Sequence, residues 1–350
     1  MHPATRSDMF LRSSPGRLLC GRKRSQAHFS ARSWYQMLLK QRGLGKPAAD
    51  DFSRVSILGP AKSLDREELI KLLEASVVHA DGTLVAINKP PGLPVTGKPG
   101  ELTLLSLLPD LSWKLDHTED LQVIKAAGKE SSGLVLLSGC QSTVQHLRDF
   151  YIKCQRTGRP AATYYAVTTR IPAASEGEVC TGLKLKQVED FVLVVPMASP
   201  SRQSFQRKEV KRTLTCFRVL DSHDGCALLQ LQPLTAFTGQ LLVHLTLILS
   251  PALGDHLYSS RVGTVLGEPF LLPAETTLPR VQVLGESLLR KLHLQQQQVH
   301  RLPLHLHLHQ LLLPGARSSS DKVLTAPLPA FFSRTLSLLG LALPQDQSKQ

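Results

Sequence analysis

The stretch from Asp81 to Gly92 has the sequence Asp-Gly-Thr-Leu-Val-Ala-Ile-Asn-Lys-Pro-Pro-Gly. Apolar residues on both sides of the turn Asp81-Gly82 predict a β-hairpin over residues 77 to 87. Residues 88 to 100 are rich in proline and glycine, which is typical of a loop. The sequence therefore predicts a hairpin whose second strand runs directly into a long loop.

Further along the chain, strand and helix patterns are mixed. Ser63 is placed to cap a helix that begins at Leu64, because acidic residues follow in the first turn, where the helix dipole favours them. Ser142 is placed in the same way before a helix that buries Val144 and Tyr151. Apolar runs predict four strands and a last helix, at Leu134 to Ser138, Tyr164 to Thr169, Leu214 to Leu220, Ala227 to Leu231 and Ala330 to Leu339.

The composition is that of a globular protein. Of the 350 residues, 42% are hydrophobic, which suffices for a sizeable core. No apolar run approaches the roughly 18 residues that a membrane helix needs, so no membrane span is predicted. The six cysteines are scattered, with no Cys-x-x-Cys pair. This pattern excludes the usual zinc spacings and favours a reducing compartment.

The positive charge is concentrated at the start of the chain. Residues 1 to 49 hold ten Lys or Arg against the single Asp8, a net +9 that leaves +4 of the total +13 for the rest. Many Arg and Ser residues, few acids and an amphipathic stretch near Trp34 are typical of a mitochondrial transit peptide. The alternative is a disordered basic arm that binds RNA. Cleavage on import would distinguish the two interpretations.

His305, His307 and His309 alternate with leucine in a predicted strand. Three imidazoles on one strand face are able to hold a metal, but a solvent-exposed strand face gives the same pattern far more often. We therefore expect an exposed strand face here and no metal site.

Four segments, taken in order, resemble the RluA-type RNA pseudouridine synthases. The first is Asp81 to Gly92, which matches the hairpin and NKPxG turn of that family. The second, Lys125 to Leu136, reads KAAGKESSGLVL beside the family's HRLDxxTSGLLL. The third is Tyr164-Tyr165-Ala166, beside KxYxA. The fourth, Pro233 to Leu245, reads PLTAFTGQLLVHL beside PLTGRTHQLRVHL, and the GDxxY motif follows at Gly254 to Tyr258.

The resemblance implies an α+β fold, with a central mixed but mostly antiparallel sheet, flanking helices and an RNA-binding cleft. It implies no metal and no organic cofactor. In family members an aspartate attacks the flipped-out uridine, the glycosidic bond breaks, and the base rotates and is rejoined through carbon. The domain would occupy residues 76–341. It would follow a transit peptide or disordered segment at 1–49 and a linker helix at 50–75, and a disordered tail would close the chain at 342–350.

Carried over residue by residue, the family's chemical groups are largely missing. The nucleophilic aspartate of HRLD falls on Gly128, and the two arginines of the fourth motif fall on Phe237 and Leu242. Tyr164, the residue expected to stack on the base and assist proton removal, is retained. The resemblance assigns a scaffold role to Lys89, Pro90, Gly92, Gly133, Gln240, His244, Asp255 and Tyr258.

Glycine has no side chain, so neither nucleophilic attack nor proton transfer can come from position 128. Losing a residue of this kind typically costs a factor of about 10⁴ in rate. Two nearby acids are candidate substitutes: Glu130, two positions further on, and Asp116, which ends the imitation Lys114-Leu115-Asp116. The alternative for both acids is a solvated surface position.

Two clusters of basic residues are candidate phosphate contacts, because Lys and Arg bind the nucleic-acid backbone without reading its sequence. The alternative for each cluster is a solvated loop. They comprise Arg202, Arg207, Lys208, Lys211 and Arg212, and, after the predicted helix, Lys153, Arg156 and Arg159.

Three functions remain open. The first is a pseudouridine synthase, an isomerase of the mitochondrial matrix that modifies mitochondrial mRNA or rRNA. The second is a catalytically degenerate RNA-binding protein that supports mitochondrial RNA stability or ribosome assembly, beside other mitochondrial RNA-processing proteins. The third is a structural or protein-interaction role without RNA. Gly128, Phe237 and Leu242 favour the second, and the family resemblance favours the first.

Overall fold

The computed structural model describes residues 57–58, 64–115, 117, 119–197, 200–274, 277–315 and 320–344. The helices in chain order are α1 (Arg66–Ala75), α2 (Leu104–Lys114), α3 (Gln141–Arg156), α4 (Arg202–Gln206), α5 (Gln240–Leu247), α6 (Glu286–Lys291) and α7 (Ala330–Leu339). The strands are β1 (Val77–Asp81), β2 (Leu84–Lys89), β3 (Gln122–Ala126), β4 (Ser132–Ser138), β5 (Ala162–Thr168), β6 (Glu176–Val188), β7 (Phe191–Met197), β8 (Lys211–His223), β9 (Cys226–Pro233), β10 (Val262–Val265), β11 (Glu268–Leu271), β12 (Leu306–Leu313) and β13 (Lys322–Thr325).

Eleven of these strands form one sheet. The order is β1-β2-β4-β12-β5-β9-β8-β6-β7, with β3 also paired to β4 and β13 to β12. The pair β4–β12 is parallel and the other pairs are antiparallel. Strands β10 and β11 make a separate hairpin. The prediction of a mixed but mostly antiparallel sheet flanked by helices is confirmed.

The first hairpin matches its prediction. Strands β1 and β2 pair antiparallel, with Asp81 opposite Leu84. Gly82 has a positive φ of 55° in the connecting turn, a conformation that glycine adopts without steric cost. Ala86 and Ile87 are fully buried. The hairpin therefore delivers residue 89 to the interior, and the proline-rich loop begins there.

The first described helix begins two residues later than predicted and has a different cap. Asp65 is the N-cap, and its side chain accepts a hydrogen bond from the Glu68 amide while the Glu68 side chain accepts one from Asp65. Ser63 lies outside the described residues. Helix α1, predicted as a linker, buries Leu69 and Leu73 in the same cluster as helix α2. It thus packs on the domain.

Helix α3 begins at Gln141, so Ser142 lies inside its first turn and the prediction of Ser142 as the cap is wrong. Cys140 is the N-cap, because its backbone is still extended, with φ −78° and ψ 115°. The buried face is as predicted and includes Val144 and Tyr151. The closing helix α7 also matches its predicted range, with Phe332 and Leu339 buried.

Several elements were not predicted, among them α2, α5, β3, β6 and β7. Helix α2 is apolar on its inner face and contains Pro109 on its exposed side. No helix in the described ranges is long and apolar enough to cross a membrane. The predicted transit peptide and residues 345–350 of the predicted tail lie outside the described residues.

Candidate RNA-modification cleft

The segment that carries position 128 lies at a fork in the sheet. Strand β2 pairs with one edge of β4 along most of its length, from Gly133 to Ser138. On the other edge β3 pairs with the later part of β4, whereas β12 pairs only with Ser132 and Gly133. Loop 127–131, which joins β3 to β4, therefore lies where β3 and β12 separate. Gly128 is exposed in this loop.

The lysine of the first hairpin holds this loop in place. Lys89 is fully buried, and its Nζ donates to the carbonyl oxygens of Lys129 at 3.1 Å and Ser131 at 2.8 Å. It also donates to the carbonyls of Pro90 at 2.9 Å and Leu93 at 3.0 Å. These contacts join the proline-rich loop to loop 127–131, and we call them the Lys89 latch. The scaffold role of Lys89 stays a prediction, and these four contacts are what it would rest on.

A second contact strengthens the connection. The Gly92 amide donates to the Lys129 carbonyl at 3.0 Å, and the Ala127 amide donates to the Leu134 carbonyl at 3.0 Å. Both ends of the short loop are thus fixed by backbone hydrogen bonds. Gly133, at the start of β4, has a φ of 116° and lies against the backbone of Leu308. The requirement for glycine there is steric.

Gly128 itself is not sterically required. An added Cβ would have Ser131 Oγ at 3.7 Å as its nearest neighbour within 4 Å, and its φ is not in the left-handed region. The backbone at this position therefore has space for a side chain that the sequence does not supply. What it presents to solvent is a bare α-carbon.

The electrostatics of the loop are set by burial. Burial lowers the pKa of Lys89 to about 7, and the nearby Glu130 carboxylate opposes this shift. Burial raises the pKa of Glu130, while Lys129 and Lys89 lower it. Glu130 is partly buried within the latched loop. The other candidate acid, Asp116, lies outside the described residues.

Tyr164 faces this region from strand β5. Leu308 of β12 pairs with Gly133 on one side and with Tyr164 on the other, so the three residues form a row across β4, β12 and β5. Tyr164 is half-buried and packs against two hydrophobic clusters, one containing Ala127 and the other packed by Phe237. Burial raises the pKa of Tyr164 to about 12, so its phenol is neutral at pH 7.

The fourth motif forms the turn before helix α5. Gly239 caps this helix with a φ of 66°. Gln240 is buried and donates to Leu214 O at 3.1 Å and Thr215 Oγ1 at 2.9 Å, fixing the turn to strand β8. Phe237 is partly buried against the same cluster that contains Leu242. Both positions that carry arginine in the resembling family therefore contribute apolar contacts here.

Three further scaffold residues are buried behind the turn. His244 Nε2 lies 3.0 Å from Thr213 Oγ1, and burial lowers its pKa to about 4. Asp255 accepts from the Tyr258 amide at 3.0 Å, and burial raises its pKa to about 6. Tyr258 Oη accepts from the Val194 amide at 3.3 Å. These contacts join helix α5 and the Asp255 turn to the outer strands.

The two basic clusters differ in their surroundings. The residues of the first are exposed, and Lys211 Nζ donates to Ala236 O at 2.9 Å, directly before Phe237. The second cluster is also exposed and lies at the end of helix α3. There Arg159 forms an ion pair with Asp321, which offsets part of its charge. The first cluster is therefore tied to the cleft turn.

The histidine-rich strand is buried, so the expectation of an exposed strand face is wrong. His305 and His307 have no exposed surface. His307 Nδ1 lies 2.9 Å from Ser132 Oγ, at the beginning of the strand that follows loop 127–131. His305 Nε2 lies 2.9 Å from Thr335 Oγ1 of helix α7. Within the described residues, no group of three or more His, Cys, Asp or Glu is arranged to hold a metal ion.

Sequence reasoning missed the groups that shape the loop. The carbonyls of Lys129 and Ser131 bind Lys89 through the backbone, so their side chains give no signal. The partner of Ser132, His307, is 175 residues away in the chain. Neither pairing was foreseen from the sequence, because both depend on long-range strand register.

Comparison with known proteins gives a consistent result. The family model described as RNA pseudouridylate synthase matches residues 83–247. The chain is 58% identical over 284 residues to human "Mitochondrial mRNA pseudouridine synthase RPUSD3", an alignment that covers 81% of each chain. It is 36% identical over 297 residues to mouse "Pseudouridylate synthase RPUSD4, mitochondrial", which covers 80% of this chain and 74% of that one.

A solved structure gives the same answer at the level of the fold. The structure of "Human RNA Pseudouridylate Synthase Domain Containing 4" matches with a TM-score of 0.63 and 29% identity. The match covers 80% of this chain and 98% of that chain. Sequence similarity, family model and fold agree, and the chain belongs to the RluA-type RNA pseudouridine synthase family.

Proposed function

We propose that this chain acts in the mitochondrial matrix as an RNA pseudouridine synthase that converts uridine to pseudouridine in mitochondrial mRNA. The observation that carries the proposal is the 58% identity to a human protein whose name states this activity. The basic first 49 residues, typical of a transit peptide, support the mitochondrial location.

The reaction is an isomerisation. The bond between C1′ and N1 of uridine breaks, a bond between C1′ and C5 forms, the proton on C5 leaves, and N1 takes up a proton. Atoms and electrons balance without a co-reactant. The chain must therefore supply a carboxylate for attack, a stacking surface for the flipped base and cations for the phosphates.

Glu130 supplies the carboxylate in this proposal. It belongs to loop 127–131, which the Lys89 latch holds at the fork of the sheet. Its partial burial raises its pKa, which makes the carboxylate more basic than an exposed one. Tyr164, half-buried beside this loop, supplies the stacking surface. The two basic clusters, from Arg202 to Arg212 and from Lys153 to Arg159, supply phosphate contacts.

A second candidate function is RNA binding without chemistry, in support of mitochondrial RNA stability or ribosome assembly beside other RNA-processing proteins. A specific observation favours it. Gly128 presents a bare α-carbon where the family has its nucleophile. Phe237 and Leu242 pack in an apolar cluster where the family has arginines. A cleft built in this way retains a base-stacking surface but lacks the family's charged pair.

Tritium release separates the two functions. The purified full chain is incubated with transcripts of mitochondrial mRNAs that carry tritium at C5 of uridine, and released tritium is counted. The synthase proposal requires release above the protein-free background. Retained ultraviolet crosslinking to the same transcripts, with no release, would support the second candidate function instead.

The role of Glu130 has its own test in the same assay. We expect Glu130→Gln to lower the release rate by a factor of about 10³ or more, since the isosteric amide is neither a nucleophile nor a base. Glu67→Gln, at an exposed position on helix α1, is the matched control and keeps the wild-type rate. Asp116→Asn is run beside them. A Glu130→Gln rate equal to that of the wild type would remove Glu130 from the mechanism.

A further inference from the structure

The connection between strands β7 and β8 carries a feature that the fold does not explain. Its two ends converge on Gly182 of strand β6. An added Cβ there would lie 2.8 Å from Val210 Cγ1 and 3.1 Å from Pro200 Cγ. Val210 is buried. The segment between these anchors, which with Lys211 and Arg212 we call the basic arm (residues 200–212), extends into solvent from a fixed base.

An aromatic side chain stands in the middle of this arm. Phe205 lies on the short helix α4 and is 36% exposed. Among the described residues, none of the four hydrophobic clusters includes it. Its neighbours Arg202, Arg207 and Lys208 are all exposed. More than a third of the Phe205 surface is therefore open to solvent, between exposed cations.

The acid in the arm does little to neutralise it. Glu209 lies 3.9 Å from Arg207, with both side chains more than half exposed. Exposed pairs of this kind contribute little energy and exchange readily for other partners. The guanidinium of Arg207 is thus available to a phosphate, and the arm keeps a net positive charge.

The arm is joined to the cleft at its far end. Lys211 Nζ donates to Ala236 O at 2.9 Å, and the next residue, Phe237, packs against the same cluster as Tyr164. An RNA strand that lay against Tyr164 and passed Phe237 would reach the cations of the arm and the exposed part of the Phe205 ring. Cations combined with exposed aromatic rings are the usual means by which proteins hold unpaired nucleotides.

We propose that Phe205 stacks on an unpaired base next to the target nucleotide, while Arg207 and Lys208 bind the adjoining phosphates, so that the arm selects single-stranded RNA. In an A-form duplex the base faces are covered by their neighbours and cannot stack on a side chain. The inference rests on the proposed RNA-binding function, and it adds the substrate class: single-stranded RNA.

Fluorescence anisotropy with the full chain tests the proposal. The probes are a labelled 15-nucleotide single strand of mitochondrial mRNA sequence and the same strand annealed to its complement. We expect Phe205→Ala to weaken single-strand binding about tenfold. Phe205→Trp keeps wild-type affinity, because the larger ring still stacks. Duplex binding is the same in all three proteins.

Two controls define the effect. Trp113→Ala removes another exposed ring, 76% exposed on helix α2, and leaves both affinities unchanged. Lys208→Ala reduces the slope of log affinity against log salt by about 0.7 for the single strand, whereas Phe205→Ala leaves that slope unchanged. Thermal unfolding of Phe205→Ala within about 1 °C of the wild type shows that the substitution leaves the stability of the domain unchanged.

The failures of the two proposals are distinguishable. If Phe205→Ala binds the single strand as tightly as the wild type, the inference is overturned while RNA binding stands. An equal loss on single strand and duplex also overturns it, because stacking on an unpaired base cannot affect a duplex. If the wild type binds neither probe, the proposed RNA function itself is wrong.

Discussion

At the residue scale, Gly128 and Gly133 of the same motif differ in whether the surrounding atoms leave room for a side chain. A Cβ at Gly133 would lie 2.6 Å from the Leu308 nitrogen and closer still to its oxygen, and its φ is 116°. At Gly128 the nearest atom would be Ser131 Oγ at 3.7 Å. We expect Gly133→Ala to lower the free energy of unfolding by about 3 kcal/mol or more, and Gly128→Asp to change it by about 0.5 kcal/mol.

Urea denaturation of the two variants, beside the wild type, measures both values. Equal losses in the two proteins would contradict the different surroundings of the two positions. Gly128→Asp has a second use in the tritium assay, since it restores the family's carboxylate to a backbone that has room for it. Release that rises in this variant would show that the rest of the cleft is intact.

The sequence motifs predict which residues line the candidate cleft, but not the surroundings of those residues. The motifs aligned Gly128 and Tyr164 with family positions, and the structure puts loop 127–131 and Tyr164 in one region of the sheet. The motifs also marked Lys89 as scaffold, but the burial of Lys89 follows from carbonyls some 40 residues away. A pattern of side chains cannot reveal contacts made by backbone oxygens.

At the element scale, the Lys89 latch joins two loops that no strand pairing connects. Lys89→Met would leave the carbonyls of Pro90, Leu93 and Ser131 without the Lys89 donor, while the Lys129 carbonyl would keep only the Gly92 amide. We therefore expect a loss of about 3 kcal/mol or more in unfolding free energy. The Gly92 amide, which donates to Lys129 O, should then exchange with solvent faster than in the wild type. Hydrogen exchange followed by mass spectrometry or NMR measures this.

Lys98→Met is the matched control, because Lys98 lies exposed in the same proline-rich loop. We expect this variant to keep wild-type stability and Gly92 exchange. If Lys89→Met leaves Gly92 protection unchanged, the loops are held together by their backbone contact and the latch is not required.

The elements that were predicted have a plain apolar pattern, and most of those that were missed have a mixed one; strand β7 is an exception, because it was missed although Phe191–Met197 is an apolar run. The first hairpin and helix α7 appear at their predicted positions. Strand β6 alternates exposed and partly buried residues over most of its length, so it has no long apolar run. Helix α2 contains Pro109, which reads as a helix breaker, yet the capping box of Thr103 and Ser106 starts the helix upstream.

At the scale of the whole molecule, the fork of the sheet beside loop 127–131 depends on a parallel pairing between β4 and β12. These strands are separated by most of the domain, and local pattern carries no information on such a pairing. His305 lies directly before β12 and His307 lies within it, and both are fully buried. Because burial disfavours the charged imidazole, these histidines bear on how the stability of the whole fold depends on pH.

Acid should destabilise this protein below about pH 6.5. Burial lowers the pKa values of His244, His305 and His307 to about 4, whereas in the unfolded chain they lie near 6.5. Between about pH 4 and pH 6.5 the unfolded state therefore binds more protons than the folded state. The free energy of unfolding consequently decreases as the pH falls through this range. Asp255 acts in the opposite direction, because burial raises its pKa from 3.8 to about 6.

Burial also lowers the pKa of a fourth histidine, His256, to about 4. Four histidines against Asp255 and Glu130, whose pKa values burial raises, leave about two to three protons net near pH 5, a slope of about 3 to 4 kcal/mol per pH unit. Urea denaturation at pH 7.5, 6.0, 5.5 and 5.0 measures this slope directly.

His307→Gln removes one of the titrating groups and should flatten the slope, although it lowers stability at pH 7.5 through the lost contact with Ser132. His146→Gln, at an exposed position, should leave the slope unchanged. Stability that stays constant from pH 7.5 to 5.0 would mean that the folded and unfolded states bind the same number of protons over this range, which would contradict the lowered pKa values of the buried histidines.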